Sequence, residues 1–303
     1  MINKPKLIIQ IDCDSETVIK KHYNLLKDIN YSYYSSLGFF LSKFEEYRLR
    51  STLFVVGQDV NCYNKAYLRR AVENGHELAN HSFTHPVSFS DMTTDEIKIE
   101  IRKTNDIIFN ELGCVCRGFR APNFDINFSI FSILEKEGIQ YDCSVLETPY
   151  NSVLKLIKKH DANVGHYLPS KDSKRIDLFI QGVNNINVVE IPISTFPYLK
   201  FPCHFSYLLA LNRHIAQIII DLLIDWHVRT NTPLVYLFHL ADIVDNEHLY
   251  GTELKMYKSR MERLFLLDYI LKKFSIYFES IISADFFELM KNGGKNENQS
   301  IVN

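Results

Sequence analysis

The chain has 303 residues, 46% of them hydrophobic, enough for one large core or two modest ones. Its 34 basic and 36 acidic side chains leave a formal charge of −2, which offers no polyanion surface, so no nucleic-acid partner is expected. No run of about 18 uncharged apolar residues occurs, so no membrane-spanning helix is expected.

The first six residues, Met1 to Lys6, lead straight into a strand-like run. They contain no long apolar segment with a small-residue cleavage site, so the chain is expected in the cytoplasm. Cysteines 13, 62, 114, 116, 143 and 203 are scattered and read as free thiols in a reducing compartment.

Lys6 to Asp14 is an apolar run ending in two acids, the pattern of a buried parallel strand. Asp12 and Asp14 alternate onto one side of it, where two like charges call for a cation or a role as a base. Asp14 could instead cap a helix that continues through Glu16. Residues 34–48 have helical spacing, with Leu37, Phe40, Leu41 and Phe44 on one face. Ser51 to Gly57 is a second strand, and a helix is expected over 65–74. Glu77 to Asn80 is a short strand that delivers His81-Ser82-Phe83-Thr84-His85. Two histidines four apart share one face of a helical turn, so both imidazoles can reach one ion.

Thr93 and Glu96 form a capping box for a helix that Gly113 ends. Gly118 to Phe124 reads as a strand containing Arg120 and ending at Pro122. A helix up to Gly138 and a strand at 141–145 follow. Residues 150–187 look like an insertion. Residues 188–194 form a strand, followed by an aromatic and proline cluster from Phe196 to Tyr207. A long helix is expected over 207–229, a strand over Leu234 to Asp242 and an amphipathic helix over 252–274. One domain spans 1–290, and the polar tail 291–303 is expected to be disordered.

Alternating strands and helices predict parallel βα units. Separate strands end in Asp12/Asp14, His81/His85, Arg120 and His239/Asp242, the way a βα barrel assembles an active site. At these residues the sequence resembles the polysaccharide deacetylase family, the NodB-homology domain or carbohydrate esterase family four. The resemblance spans about residues 6–245 in order. Its most specific parts are Asp-x-Asp and His-Ser-x-x-His, supported by Arg-x-Pro and a Leu-x-x-His-type strand with Tyr236 at the Leu position.

The resemblance implies an α/β fold, a distorted (β/α) barrel, with Asp14, His81 and His85 holding a divalent metal. Zinc suits the set best, although cobalt, nickel or manganese fits the same donors. It further implies Asp12 as general base toward a water on the metal, Arg120 as the residue that orients Asp12, and His239 as the acid for the leaving amine. The oxyanion would meet a backbone N–H near Phe124, after Pro122.

The chain departs from the family pattern by having no Asp-x-x-Asp-Trp motif, which leaves the partner of His239 open between Asp242 and Asp142. Asp142 reads as a turn cap ahead of a catalytic group. The remaining histidines, among them His76, His160, His166, His204 and His248, read as surface or core residues.

The implied activity is hydrolysis of the acetamide of an N-acetylated amino sugar. With no export signal expected, the substrate would be a cytoplasmic precursor, such as an undecaprenyl-phosphate-linked sugar used in lipopolysaccharide or surface-glycan modification. Peripheral contact at the inner face of the membrane through the 196–207 cluster is the matching expectation, against simple burial of those aromatics. The competing readings are an allantoinase-like amidohydrolase acting on a small amide and a non-catalytic glycan-binding relative.

Overall fold

The computed structural model describes residues 4–22, 32–146, 187–245 and 258–299. Strand β1 (Lys6–Cys13) sets the layers, because alternate side chains serve opposite faces. Leu7, Ile9, Ile11 and Cys13 enter the larger core. There they meet Phe40 and Phe44 of α2 (Tyr34–Tyr47) and helices from the C-terminal half of the chain. Each fully buried aliphatic side chain of this kind contributes about 1.5–3 kcal/mol.

The other face of β1 climbs from apolar to polar. Ile8 packs with Phe54, Ala79, Tyr141 and Val235, and with Phe286 and Phe287 of the last helix. One step up, Gln10 hydrogen-bonds inward to Cys143 Sγ and Ser283 Oγ. At the rim stands Asp12. The interior is therefore plugged at the N-terminal end of the strands and polar at the C-terminal end.

Among the described residues the sheet runs in the order β6-β5-β4-β3-β2-β1-β7. The other strands are β2 (Ser51–Val55), β3 (Glu77–Asn80), β4 (Gly118–Phe119), β5 (Tyr141–Asp142), β6 (Val189–Glu190) and β7 (Leu234–His239). Every pairing is parallel, and β8 (Glu279–Ser280) adds to the start of β1. Parallel neighbours need crossovers. These are supplied by α2, α3 (Lys65–Glu73), α4 (Thr94–Leu112) and α5 (Phe128–Lys136). Beyond β6, the Ser194 N–H donates to the Val235 carbonyl at 3.1 Å, and the Ser194 hydroxyl accepts from the Val235 N–H at 3.0 Å. These bonds draw the two sheet edges together, which makes the expected distorted α/β barrel.

Local chemistry explains several boundaries. Thr93 and Glu96 form the capping box of α4, and Gly113 closes it in the left-handed conformation at φ 71°. A Cβ on Gly118 would lie 2.2 Å from the Tyr141 ring. Glycine there lets Tyr141 reach across and donate to Glu77 at 2.6 Å.

Elsewhere the chain departs from the sequence expectations. Helix α1 (Glu16–His22) follows β1, and its cap is Ser15, whose Oγ accepts from the Val18 N–H, so Asp14 is free of capping duty. Strand β4 stops at Phe119, because Pro122 starts a short 3-10 turn over Pro122–Phe124. The helix expected over 207–229 is two helices, α6 (Phe205–Leu209) and α7 (Arg213–Thr230), divided where Asn212 caps the second.

The helix expected from residue 252 begins as α8 (Arg260–Tyr277), capped by Ser259; residues 252–257 lie outside the described part, as does the 150–186 insertion. Helix α9 (Ser283–Gln299) runs into the stretch expected to be a disordered tail. Its first turns are anchored by Phe286 and Phe287, and Lys, Glu, Asn and Gln propagate a helix at small cost, with each glycine adding about 1 kcal/mol.

Candidate active site

Strand register assembles the site. Asp12 pairs with Phe54 on β2 and with His239 on β7. Asn80 of β3 pairs with Phe119 of β4, so the next residues, His81 and Arg120, emerge side by side. The ladder continues through them: the His81 N–H donates to Val55 and the Arg120 N–H to Asn80, each at 3.0 Å. Asp12, Asp14, His81, Arg120 and His239 thus reach one end of the sheet from four strands.

The histidine pair is presented by a loop and not by the expected helical turn. Ser82 and His85 have φ of 62° and 49°, outside a right-handed helix. Glu100 of α4 holds this loop. Its carboxylate accepts from the N–H groups of Phe83 and Thr84 at 2.8 and 2.7 Å and from the Thr84 hydroxyl at 2.9 Å. Asn80 accepts from the Ser82 N–H, and Ser82 Oγ from the His85 N–H. The two imidazoles end 5.0 Å apart, ring centre to ring centre.

Asp14, His81 and His85 offer one ligand atom each, all within 4.8 Å of one another. Asp14 Oδ1 lies 3.5 Å from Nε2 of both histidines. That is too long for good hydrogen bonds, and this buried oxygen has no hydrogen-bond partner. His81 Nδ1 is 2.8 Å from the Arg120 carbonyl, which can only accept. Nδ1 therefore carries the hydrogen, and Nε2 turns a lone pair toward Asp14. Tetrahedral zinc with bonds of about 2.0–2.1 Å separates its ligand atoms by about 3.4 Å, close to the spacing seen here. The three residues fit a divalent metal. Burial opposes charge on Asp14, but His85 and His81 outweigh it and hold the carboxyl below the usual range.

Arg120 is fully buried under Asp12. Its guanidinium donates to Asp12 Oδ1 at 2.5 Å, to the Cys143 carbonyl at 2.9 Å and to Gln10, and it lies 4.1 Å from the Phe54 ring centre. The other Asp12 oxygen faces His239 Nε2 at 3.6 Å. The partner of His239, left open by the sequence, is Asp242. Asp242 Oδ2 accepts the His239 backbone N–H at 2.7 Å, and Ser206 bridges the two side chains. Burial disfavours charge on His239, but Asp242, Asp12 and Asp14 outweigh it and raise its pKa to about 9. The turn carrying Asp242 is clamped by the buried Arg263, which donates to the Asp242 and Val244 carbonyls at 2.7 and 2.5 Å.

Asp142 takes the turn-capping role, accepting from the Ser144 N–H at 2.9 Å and hydroxyl at 2.8 Å. Ser144 Oγ in turn accepts from the Ala121 N–H, fixing the start of the Pro122 turn. Phe124 packs beside this turn, 5.5 Å from Arg120. Its own N–H donates to the Ala121 carbonyl at 3.0 Å and so is committed to the turn.

Sequence reasoning missed Glu100, Ser206, Arg263 and His204. His204, read as a surface or core residue, is buried with its ring 5.7 Å from that of His239. Burial, then the charges of His239 and Arg120, push its pKa well down, so it is neutral. His160, His166 and His248 lie outside the described residues.

The family model for polysaccharide deacetylase matches residues 32–141, which include the histidine pair and Arg-x-Pro. A bifunctional xylanase/deacetylase from Pseudobutyrivibrio xylanivorans is 28% identical over 163 residues, 51% of this chain and 27% of that protein. A peptidoglycan deacetylase from Helicobacter pylori is 24% identical over 152 residues, 50% of each chain. The chain therefore matches half or less of the length of these curated relatives. The crystal structure of a polysaccharide deacetylase from Mycobacterium smegmatis shares the fold, with a TM-score of 0.60 over 96% of this chain and 92% of that one at 14% identity. This chain is thus similar to the polysaccharide deacetylases, in sequence over residues 32–141 and in fold, as its motifs indicated.

Proposed function

We propose that the chain is a divalent-metal-dependent N-deacetylase that hydrolyses the acetamide of an N-acetylated amino sugar to a free amine and acetate. The observation that carries this is the placing of Asp14, His81 and His85 around one point, with Asp12 and His239 facing each other beside them. When bound, a metal such as zinc would supply Lewis acidity, making water more acidic and polarising the amide carbonyl.

The chain's own groups do the rest. Arg120 holds one Asp12 oxygen, leaving the other to take a proton from the attacking water. As the C–N bond breaks, His239 delivers its Nε2 proton to the leaving nitrogen. Asp12 gains one proton and His239 loses one, so passage of the Asp12 proton to the facing His239 Nε2 readies both groups again.

The reading extends to a lipid-linked precursor, such as a polyprenyl-phosphate sugar, handled in the cytoplasm at the inner face of the membrane. Support comes from the aromatic and proline cluster. Phe205 is core, but Tyr198 and Leu199 are 85% and 59% exposed, beside an outward row of Ile215, Ile218 and Leu222 on α7. The Tyr198 and Trp226 ring centres lie 4.9 Å apart, joining this row to the cluster. No described helix is long and apolar enough to cross a membrane, so contact would be peripheral.

Acetate release from N-acetylglucosamine oligomers and from a polyprenyl-phosphate N-acetyl sugar, with and without added zinc, tests the activity. Zinc-dependent release that is lost in Asp12→Asn is the expected result. No release from any N-acyl sugar by metal-loaded protein would overturn it. Flotation with anionic vesicles tests the membrane contact, and protein remaining at the bottom of the gradient would remove it.

A further inference from the structure

The ring of the acid histidine does not touch the Asp242 carboxylate directly, although its backbone N–H does. His239 Nδ1 is 3.8 Å from Asp242 Oδ2, beyond hydrogen-bond length. Ser206 fills the gap, with Oγ 2.7 Å from Asp242 Oδ1 and 3.0 Å from His239 Nδ1. A serine hydroxyl has one hydrogen to give and can accept two. The Asp242 carboxylate only accepts, so the hydroxyl hydrogen goes there. Toward His239 the hydroxyl can then only accept, and Nδ1 must carry a hydrogen.

We propose that Ser206 is a positioning residue for His239. Through a two-bond relay to Asp242 it keeps Nδ1 protonated, so that the proton that comes and goes sits on Nε2, facing Asp12. The proposal deepens the deacetylase reading, in which His239 is the acid.

The fold supports this placement. Phe205 anchors α6 in the core, 5.2 Å from Phe238 between ring centres, and the next residue, Ser206, then meets the end of β7. Arg263 fixes the other end of the relay by holding the Asp242 and Val244 carbonyls. Among the described residues, the charged and titratable groups facing His239 are Asp12 and Asp14 from the end of β1, Asp242 on its own turn and His204 on the approach to α6. Of these, Asp242 is the one that Ser206 links to Nδ1.

The test uses zinc-loaded full chain and two variants, Ser206→Ala and Ser206→Thr, the second keeping the hydroxyl. Ring-nitrogen chemical shifts of His239 are followed against pH, assigned by their loss in His239→Gln. In the wild type, Nδ1 should stay protonated throughout and Nε2 should titrate. Ser206→Ala should show mixed tautomers on the alkaline side and a midpoint lower by about one unit. Its kcat should fall about 10-fold, with KM changed less than about twofold. Ser206→Thr should restore both the tautomer and the rate.

A Ser206→Ala protein with the wild-type tautomer and midpoint would overturn the proposal. The spectra do not depend on turnover. If no N-acyl sugar is hydrolysed but the tautomer responds, the deacetylase reading fails and the relay stands.

Discussion

Two flanks of Asp12 are built by opposite means. On one side, His81 and His85 come from a single five-residue loop, pinned by one carboxylate, Glu100. On the other, His239 is set by Ser206, Asp242 and Arg263, which arrive from three separate segments. On the proposed reading the first flank is a ligand cage, where one atom each of His81, His85 and the buried Asp14 carboxylate converge. On the same reading the second is a proton-delivery site, where Ser206 and Asp242 orient one imidazole. Asp12 belongs to both flanks, with Oδ1 held by Arg120 and Oδ2 facing His239.

The largest effect is expected where the flanks meet. Asp12→Asn removes the base and leaves the buried Arg120 facing a neutral amide, and kcat should fall by about 10³-fold or more. Steady-state deacetylation checks this; a loss below tenfold would mean that another group takes the proton.

Next comes the acid flank alone. His239→Ala should cost about 10²-fold in kcat. In the wild type the acid form of His239 exists below its raised pKa, so kcat should fall as pH rises through about 9. Stability follows the same sign: the charged ring contributes fully below its ordinary value of about 6.5, and the contribution is lost as pH rises through about 9. An alkaline limb that persists unchanged in His239→Ala would detach it from this residue.

The ligand flank is probed by Glu100→Gln, which keeps the size and loses the charge that gathers three donors. Metal affinity should weaken about 10–100-fold, read by chelator competition, with the metal-saturated rate less affected. The smallest change is expected from Asp142→Asn. Asp142 caps the Ser144 turn and does not touch His239, so the alkaline limb should move by less than about half a unit. A larger shift would return Asp142 to the candidate partners of His239.

The same contrast explains what the sequence made legible. Asp12, Asp14, His81, His85 and Arg120 stand at strand ends, and strand ends are visible as apolar runs that stop at polar residues. The barrel followed from the same runs. The histidine loop's conformation was not visible, because Glu100 acts from an amphipathic helix where it reads as one more surface acid. Ser206 was hidden for a similar reason: a serine among aromatics carries no signal until Phe205 is seen to bury and turn it toward β7. The backbone around Phe124 takes the 3-10 turn that Pro122 begins, which binds the Phe124 N–H to Ala121, a choice made by local backbone geometry and not by pattern.

The most direct test of the central claim is metal content by elemental analysis of the purified wild type and His81→Ala, each shown to be folded by its thermal transition. The account predicts about one equivalent of zinc or a similar divalent metal in the wild type, and its loss in His81→Ala. A folded wild type that takes up no metal even when zinc is supplied would contradict it.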